Sequence, residues 1–176
     1  MAPQQGTRTL LDVAAGSGRH ARWAAELGYR VTAVDRDAQA LSGCGEGVAT
    51  RVLDLEGPVW PLLGQSFDVV ICTHYLYRPH LDALVDCLAV GGRLIFETFA
   101  RGNERFGRPS NPDYLLVPGE LLALAARRGL YVLAYEDGLI DLPRPARVQR
   151  IVLLNRPSHA VAHAHDDTIQ VRLVNP

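Results

Sequence analysis

Short apolar runs alternate with amphipathic stretches along most of the chain. Thr9 to Ala14 (TLLDVA) is apolar apart from one acid, and it leads into Ala15-Gly16-Ser17-Gly18. A helical stretch covers Arg19 to Leu27, and Gly28 stops it. Val31 to Val34 is a second apolar run, closed by Asp35. Asp37 to Ser42 has room for one or two helical turns, and Val48 to Leu53 alternates loosely up to Asp54. Gly57-Pro58-Val59-Trp60-Pro61 is barred from a regular helix interior, because proline lacks the donor and clashes with the preceding turn. Phe67 to Thr73 (FDVVICT) is the strongest strand signal, a β-branched run of the kind buried on both faces.

Pro79 to Leu88 predicts a helix, with Leu81, Leu84, Val85 and Leu88 along one face and Gly91-Gly92 as its stop. Arg93 to Phe99 (RLIFETF) reads as a strand, Ala100 to Pro118 as a long loop, and Glu120 to Arg128 as a helix closed by Gly129. Leu130 to Tyr135 and Val148 to Asn155 are two more strands around a loop rich in proline and aspartate. Past Arg156 the pattern weakens, although Thr168 to Val174 alternates enough for one edge strand. Strands alternating with helices predict an α/β fold of right-handed units around a mostly parallel sheet. Two final strands with no helix between them add an antiparallel pair. The expected organisation is one domain over 1–155 and a C-terminal tail over 156–176.

Composition narrows the function. At 176 residues one core can form unaided, and 48% hydrophobic with 21% charged residues is the balance of a soluble globule. The net charge of −1 disfavours nucleic-acid partners, which need a basic field. All 18 basic residues are Arg, which excludes a P-loop and a Schiff-base lysine and points to a GC-rich bacterial genome. Cys44, Cys72 and Cys87 form no CxxC pair, and His159, His163 and His165 lack acid or thiol partners at useful spacing, so no metal site is expected. With no apolar signal core and no run near the ~20 residues of a membrane span, a cytoplasmic protein is expected.

The glycine turn carries the chemistry. A strand, a glycine turn and a helix start place backbone N–H groups in a crevice, where Gly16 and Gly18 admit a ligand that a side chain would obstruct. Asp35 follows Gly16 by 19 residues, at the end of the next strand, where a carboxylate accepts two hydrogen bonds from a ribose diol. An adenosine-type ligand follows. Gly16 to Ala21 also fits G-x-G-x-x-[GA], so the glycines alone leave a dinucleotide open.

Leu10 to Gly18 (LLDVAAGSG) resembles motif I of the class I S-adenosylmethionine (SAM) dependent methyltransferases, an apolar pair, an acid, then x-G-x-G-x-G, with Ala14 in place of the first glycine. Val34-Asp35, Asp54-Leu55, Phe67 to Cys72 and Val90 to Ile95 (VGGRLI) follow in the order of that family's later motifs. The resemblance covers residues 9 to about 155. It implies a three-layer Rossmann-like sheet of seven mostly parallel strands with a C-terminal antiparallel hairpin, and SAM as cofactor. By the same resemblance Asp12 orients the glycine loop and the methionine amino group, while Ala14, Gly16 and Gly18 lie under the cofactor. Asp35 takes the ribose hydroxyls, Asp54 and Leu55 flank the adenine, and Thr73 lies along the sulfonium side. The chain starts almost at its first strand, so the resemblance implies a cleft that is open, or one covered by a partner or the tail.

The acceptor belongs outside the carboxyl ends of the strands. Thr73 to Pro79 (THYLYRP) lacks the N-P-P-[YFW] signature of methyltransferases acting on nucleic-acid bases, which favours a small-molecule acceptor. His74 is the expected base by type and place, Tyr75 a pocket wall, Glu97 an acid beneath, and Arg78 either a partner for an acidic substrate or a cap for a neighbouring loop. The loop over 100–117 is expected to act as a lid. The expected function is methyl transfer from SAM to a small molecule. A non-catalytic SAM-binding or interaction domain and an NAD-binding oxidoreductase are the alternatives. Acceptor atom and oligomeric state are not legible in the sequence.

Overall fold

The computed structural model describes residues 7–156. The elements run β1 (Thr9–Val13), α1 (Arg19–Glu26), β2 (Arg30–Asp35), α2 (Ala38–Leu41), β3 (Val48–Val52), β4 (Phe67–Thr73), α3 (Leu81–Asp86), β5 (Leu88–Phe99), α4 (Glu120–Arg127), β6 (Tyr131–Ile140) and β7 (Ala146–Leu154). One sheet holds all seven strands in the order β3-β2-β1-β4-β5-β7-β6. The first five pair in parallel; β7 pairs antiparallel with both β5 and β6. The tail over 157–176, with the edge strand expected at 168–174, lies outside the described residues.

The period-two pattern of the strands builds the three layers. Leu11 and Val13 of β1, with Val70 and Cys72 of β4, face one side and pack against α3, α4 and Trp60. Leu10, Val69 and Ile71 face the other side, against Ala21 and Ala24 of α1. Burial on both faces is what a parallel sheet requires, and each fully buried leucine contributes about 2 kcal/mol. The proline-broken segment after Asp54 earns its place through Trp60, whose indole N–H donates to the Cys87 Sγ at 3.3 Å.

Three expectations need correction. The predicted helix to Leu88 ends at Asp86, and β5 begins five residues before the predicted Arg93. Gly91-Gly92 is a bulge within that strand: the register with β4 shifts between Phe67 and Val69, and Gly91 has φ +79°. A Cβ on Gly92 would stand 2.8 Å from the Ala89 carbonyl and 3.0 Å from that of Phe67, so backbone crowding demands a glycine there. The hairpin strands are longer than predicted because β7 gains a ladder on each side. Finally, the segment over 100–118 is anchored. Leu115 and Leu116 are buried, and the buried Asn103 donates to the Pro109 carbonyl and accepts from the Arg147 N–H.

Candidate active site

The chain order reverses between β1 and β4, so the ends of these strands splay apart there and leave a crevice. A cleft of about 260 Å³ occupies that place. Ala14 follows β1, Asp35 ends β2, Asp54 and Leu55 follow β3, and His74 and Tyr75 follow β4; all six line it. A second cleft, of about 460 Å³, opens beyond β5 and is lined by Glu97, Phe99 and Arg150 together with His74. His74 therefore stands at the junction of the two.

Asp35 joins the glycine turn to the second strand. Its Oδ2 accepts the Gly16 N–H at 2.8 Å and its Oδ1 the Asp37 N–H at 3.0 Å. Gly16 has φ +53°, and a Cβ there would meet nothing within 4 Å, so the space above it belongs to no part of the described protein. Gly18 differs: its Cβ would lie 2.4 Å from the Cys44 Sγ, so packing accounts for that glycine. No side chain caps α1. Ala14 and His74 are the two non-glycine residues with positive φ among those described, at +53° and +55°, and both line the first cleft. Left-handed backbone costs such residues roughly 1–2 kcal/mol, and strain of this kind collects at functional sites.

Asp12 lies buried in β1, and its Oδ2 has no hydrogen-bond partner among the described residues. Burial pushes its carboxyl up to about 6, against the pull of the Ala21 N–H and the Arg19 charge. The folded state thus holds this proton more tightly than the unfolded chain does. Its contribution to stability is full below the unfolded value of 3.8 and lost as pH rises through about 6. In urea unfolding without cofactor, Asp12→Asn is expected to gain on the wild type by up to ~3 kcal/mol between pH 4 and pH 7. A difference that stays flat across that range would contradict this assignment.

The catalytic candidates separate by environment. The Tyr75 hydroxyl donates to the Leu55 carbonyl at 3.3 Å, and burial, with Glu56 second, pushes its pKa up, so it stays a neutral phenol in the wall. His74 stacks on Phe99 with ring centroids 5.2 Å apart, and its Nε2 is 3.8 Å from Glu97 Oε1. Glu97 Oε2 lies 2.9 Å from Arg150 Nε, so one carboxylate is shared between imidazole and guanidinium. Thr73 faces His20 at 3.5 Å and lines neither cleft. Cys72 is a buried core thiol whose pKa burial pushes up.

Arg78 is a structural cap. It pairs with Glu120 at 2.7 Å and donates to the Asp113 and Leu115 carbonyls, which fastens the end of the 100–118 segment to α4. Residues that sequence reasoning missed come mostly from the connection between β6 and β7, which brings Leu142 to Pro145 to the second cleft. Arg19, at the start of α1, also lines it. The run of proline there signalled only a loop.

Sheet order and the inserted β7 define a Rossmann-like domain of methyltransferase topology. Residues 11–96 match the family model described as a methyltransferase domain. A protein-L-isoaspartate O-methyltransferase of Chlorobaculum tepidum is 39% identical over 130 residues, covering 62% of this chain and 58% of that protein. TehB from Haemophilus influenzae superposes with a TM-score of 0.70 at 16% identity, over 86% of this chain and 59% of that one. The magnesium protoporphyrin IX methyltransferase of Synechocystis, solved with bound S-adenosylhomocysteine (SAH), gives 0.66 at 17% identity over 86% and 74%. The chain thus spans under two thirds of the curated relative and of TehB. Over residues 11–96 the chain is similar to methyltransferase domains, and its fold is that of the solved methyltransferases.

Proposed function

We propose that this protein transfers the methyl group of SAM to a small-molecule acceptor, with SAM in the first cleft and the acceptor in the second. The observation that carries this reading is the junction: His74 alone of the catalytic candidates lines both clefts, at the strand end where the two meet. The chain's polar groups fit the cofactor. The orphaned Asp12 Oδ2 suits an ammonium, directly or through water, and the open space at Gly16 suits a ligand lying against the backbone. Asp35 keeps lone pairs free for a ribose diol. Asp54 accepts the Glu56 N–H on Oδ1, which leaves Oδ2 toward the adenine end, beside Leu55.

SAM supplies a methyl group on a positive sulfonium, and displacement at it is in line. The protein's part is alignment and exclusion of water. His74 takes the acceptor's proton where the nucleophile carries one, with the Glu97 carboxylate 3.8 Å from its Nε2. Tyr75 is a wall. The neutral overall charge favours a small acceptor over nucleic acid. Three free, buried cysteines suit a reducing compartment, the cytoplasm, and no described helix is long and apolar enough to cross a membrane.

Asp35 provides the test. Asp35→Ala is expected to weaken SAM binding by about 1.5–3 kcal/mol, the scale of charge-assisted hydrogen bonds, in a protein that still folds. Calorimetry showing unchanged affinity would remove the ribose from this carboxylate.

A further inference from the structure

We infer that the second cleft takes a small organic anion, its acidic group held by the arginines of the rim and its apolar body against Phe99 and Phe106. The inference rests on the methyl-transfer reading for the cleft's role and adds the acceptor's chemistry. Arg19, Arg108, Arg144 and Arg150 line this one opening, in a chain whose net charge is −1. Glu97 is the only carboxylate among the lining residues, and it is already engaged by Arg150 at 2.9 Å and His74 at 3.8 Å. Arg150 has a second acid in Glu136, at 3.3 Å.

The other three guanidinium groups have no carboxylate partner among the described residues, and what sets them apart is that they share this one opening. The Arg19 guanidinium lies 3.3 Å from the His20 ring nitrogen, and its charge reaches Asp12. Gathering unpaired cations at one mouth costs repulsion, which a bound anion relieves. The planar guanidinium fork matches carboxylate and phosphate alike. Phe99, Phe106 and Leu142 supply an apolar wall, and about 460 Å³ lies in the range of small-ligand sites. The cleft thus suits an amphipathic acid. Carboxylate and phosphate are the two sources of the charge.

The experiment uses matched acid and neutral pairs: 4-hydroxybenzoate with 4-hydroxybenzamide, indole-3-acetate with indole-3-acetamide, and phenyl phosphate with phenol. Binding is followed by ligand-observed NMR with and without SAH, at low and high salt. The acid is expected to bind at least tenfold more tightly than its neutral partner in at least one pair, less so at high salt; the pair that responds identifies carboxylate or phosphate. Arg108→Gln with Arg144→Gln is expected to abolish that preference and leave SAH affinity within twofold. Arg105→Gln, on the same segment but outside the lining, is expected to change neither. Equal affinity within every pair, no binding of any acid, or a preference that survives the double substitution overturns the inference. Acid preference in a protein that fails to bind SAH keeps the anion site and overturns the methyl-transfer reading instead.

Discussion

Gly16→Val is expected to reduce SAM affinity by on the order of 100-fold or more, equivalent to about 3 kcal/mol, while the domain still folds. The position is empty of protein: a Cβ there meets nothing within 4 Å. A valine side chain would enter the space assigned to the cofactor, beside the N–H that Asp35 accepts. The left-handed backbone at φ +53° adds strain, because β-branched residues are outliers in that region; the strain lowers stability by roughly 1–2 kcal/mol or somewhat more. Gly28→Val separates the two effects. Gly28 has φ +85° and equally open surroundings, but it precedes β2, at the opposite end of that strand from Asp35. It is expected to lose similar stability and keep full SAM affinity. Both are read by urea unfolding and calorimetry, and wild-type affinity in Gly16→Val would move the cofactor off this turn.

His74→Ala is expected to lower turnover by ~10²-fold or more when the acceptor's nucleophile carries a proton, the lower end for general-base catalysis, and to leave SAM binding nearly intact. The substitution removes the imidazole from between the clefts and leaves Glu97 with Arg150 alone. A loss confined to acceptor affinity makes His74 a positioning residue. The split between kcat and KM decides, and unchanged values of both would remove it from the reaction.

The glycine turn and the strand-end acids were legible because each is a local signal: φ-permissive glycines after an apolar run, and acids where a run stops. Strand and helix alternation made the parallel sheet legible, but not the order of its strands. Two features escaped because they depend on distant partners. Gly91-Gly92 reads as a helix stop, yet the crowding that requires Gly92 comes from the carbonyl of Phe67 on the neighbouring strand. Likewise Leu142 to Pro145 reads as a loop, and only the insertion of β7 beside β5 carries it to the cleft that Glu97 and Phe99 line. Arg78 was legible as a charge near the site but not as the clamp on Glu120, 42 residues away. Asn103 looked like a lid residue, and its burial under Arg147 became visible only with β7 in place.

The first cleft is expected to hold SAM rather than a dinucleotide. A thermal-shift series with SAM, SAH, NAD and NADP tests this directly, since a ligand of the folded state alone raises the melting temperature by mass action, by about 2.7 kcal/mol of stability at 100 times its Kd. SAM and SAH are expected to raise it, with the gain lost in Gly16→Val and retained in Gly28→Val. A rise with NAD or NADP and none with SAM or SAH would contradict the account.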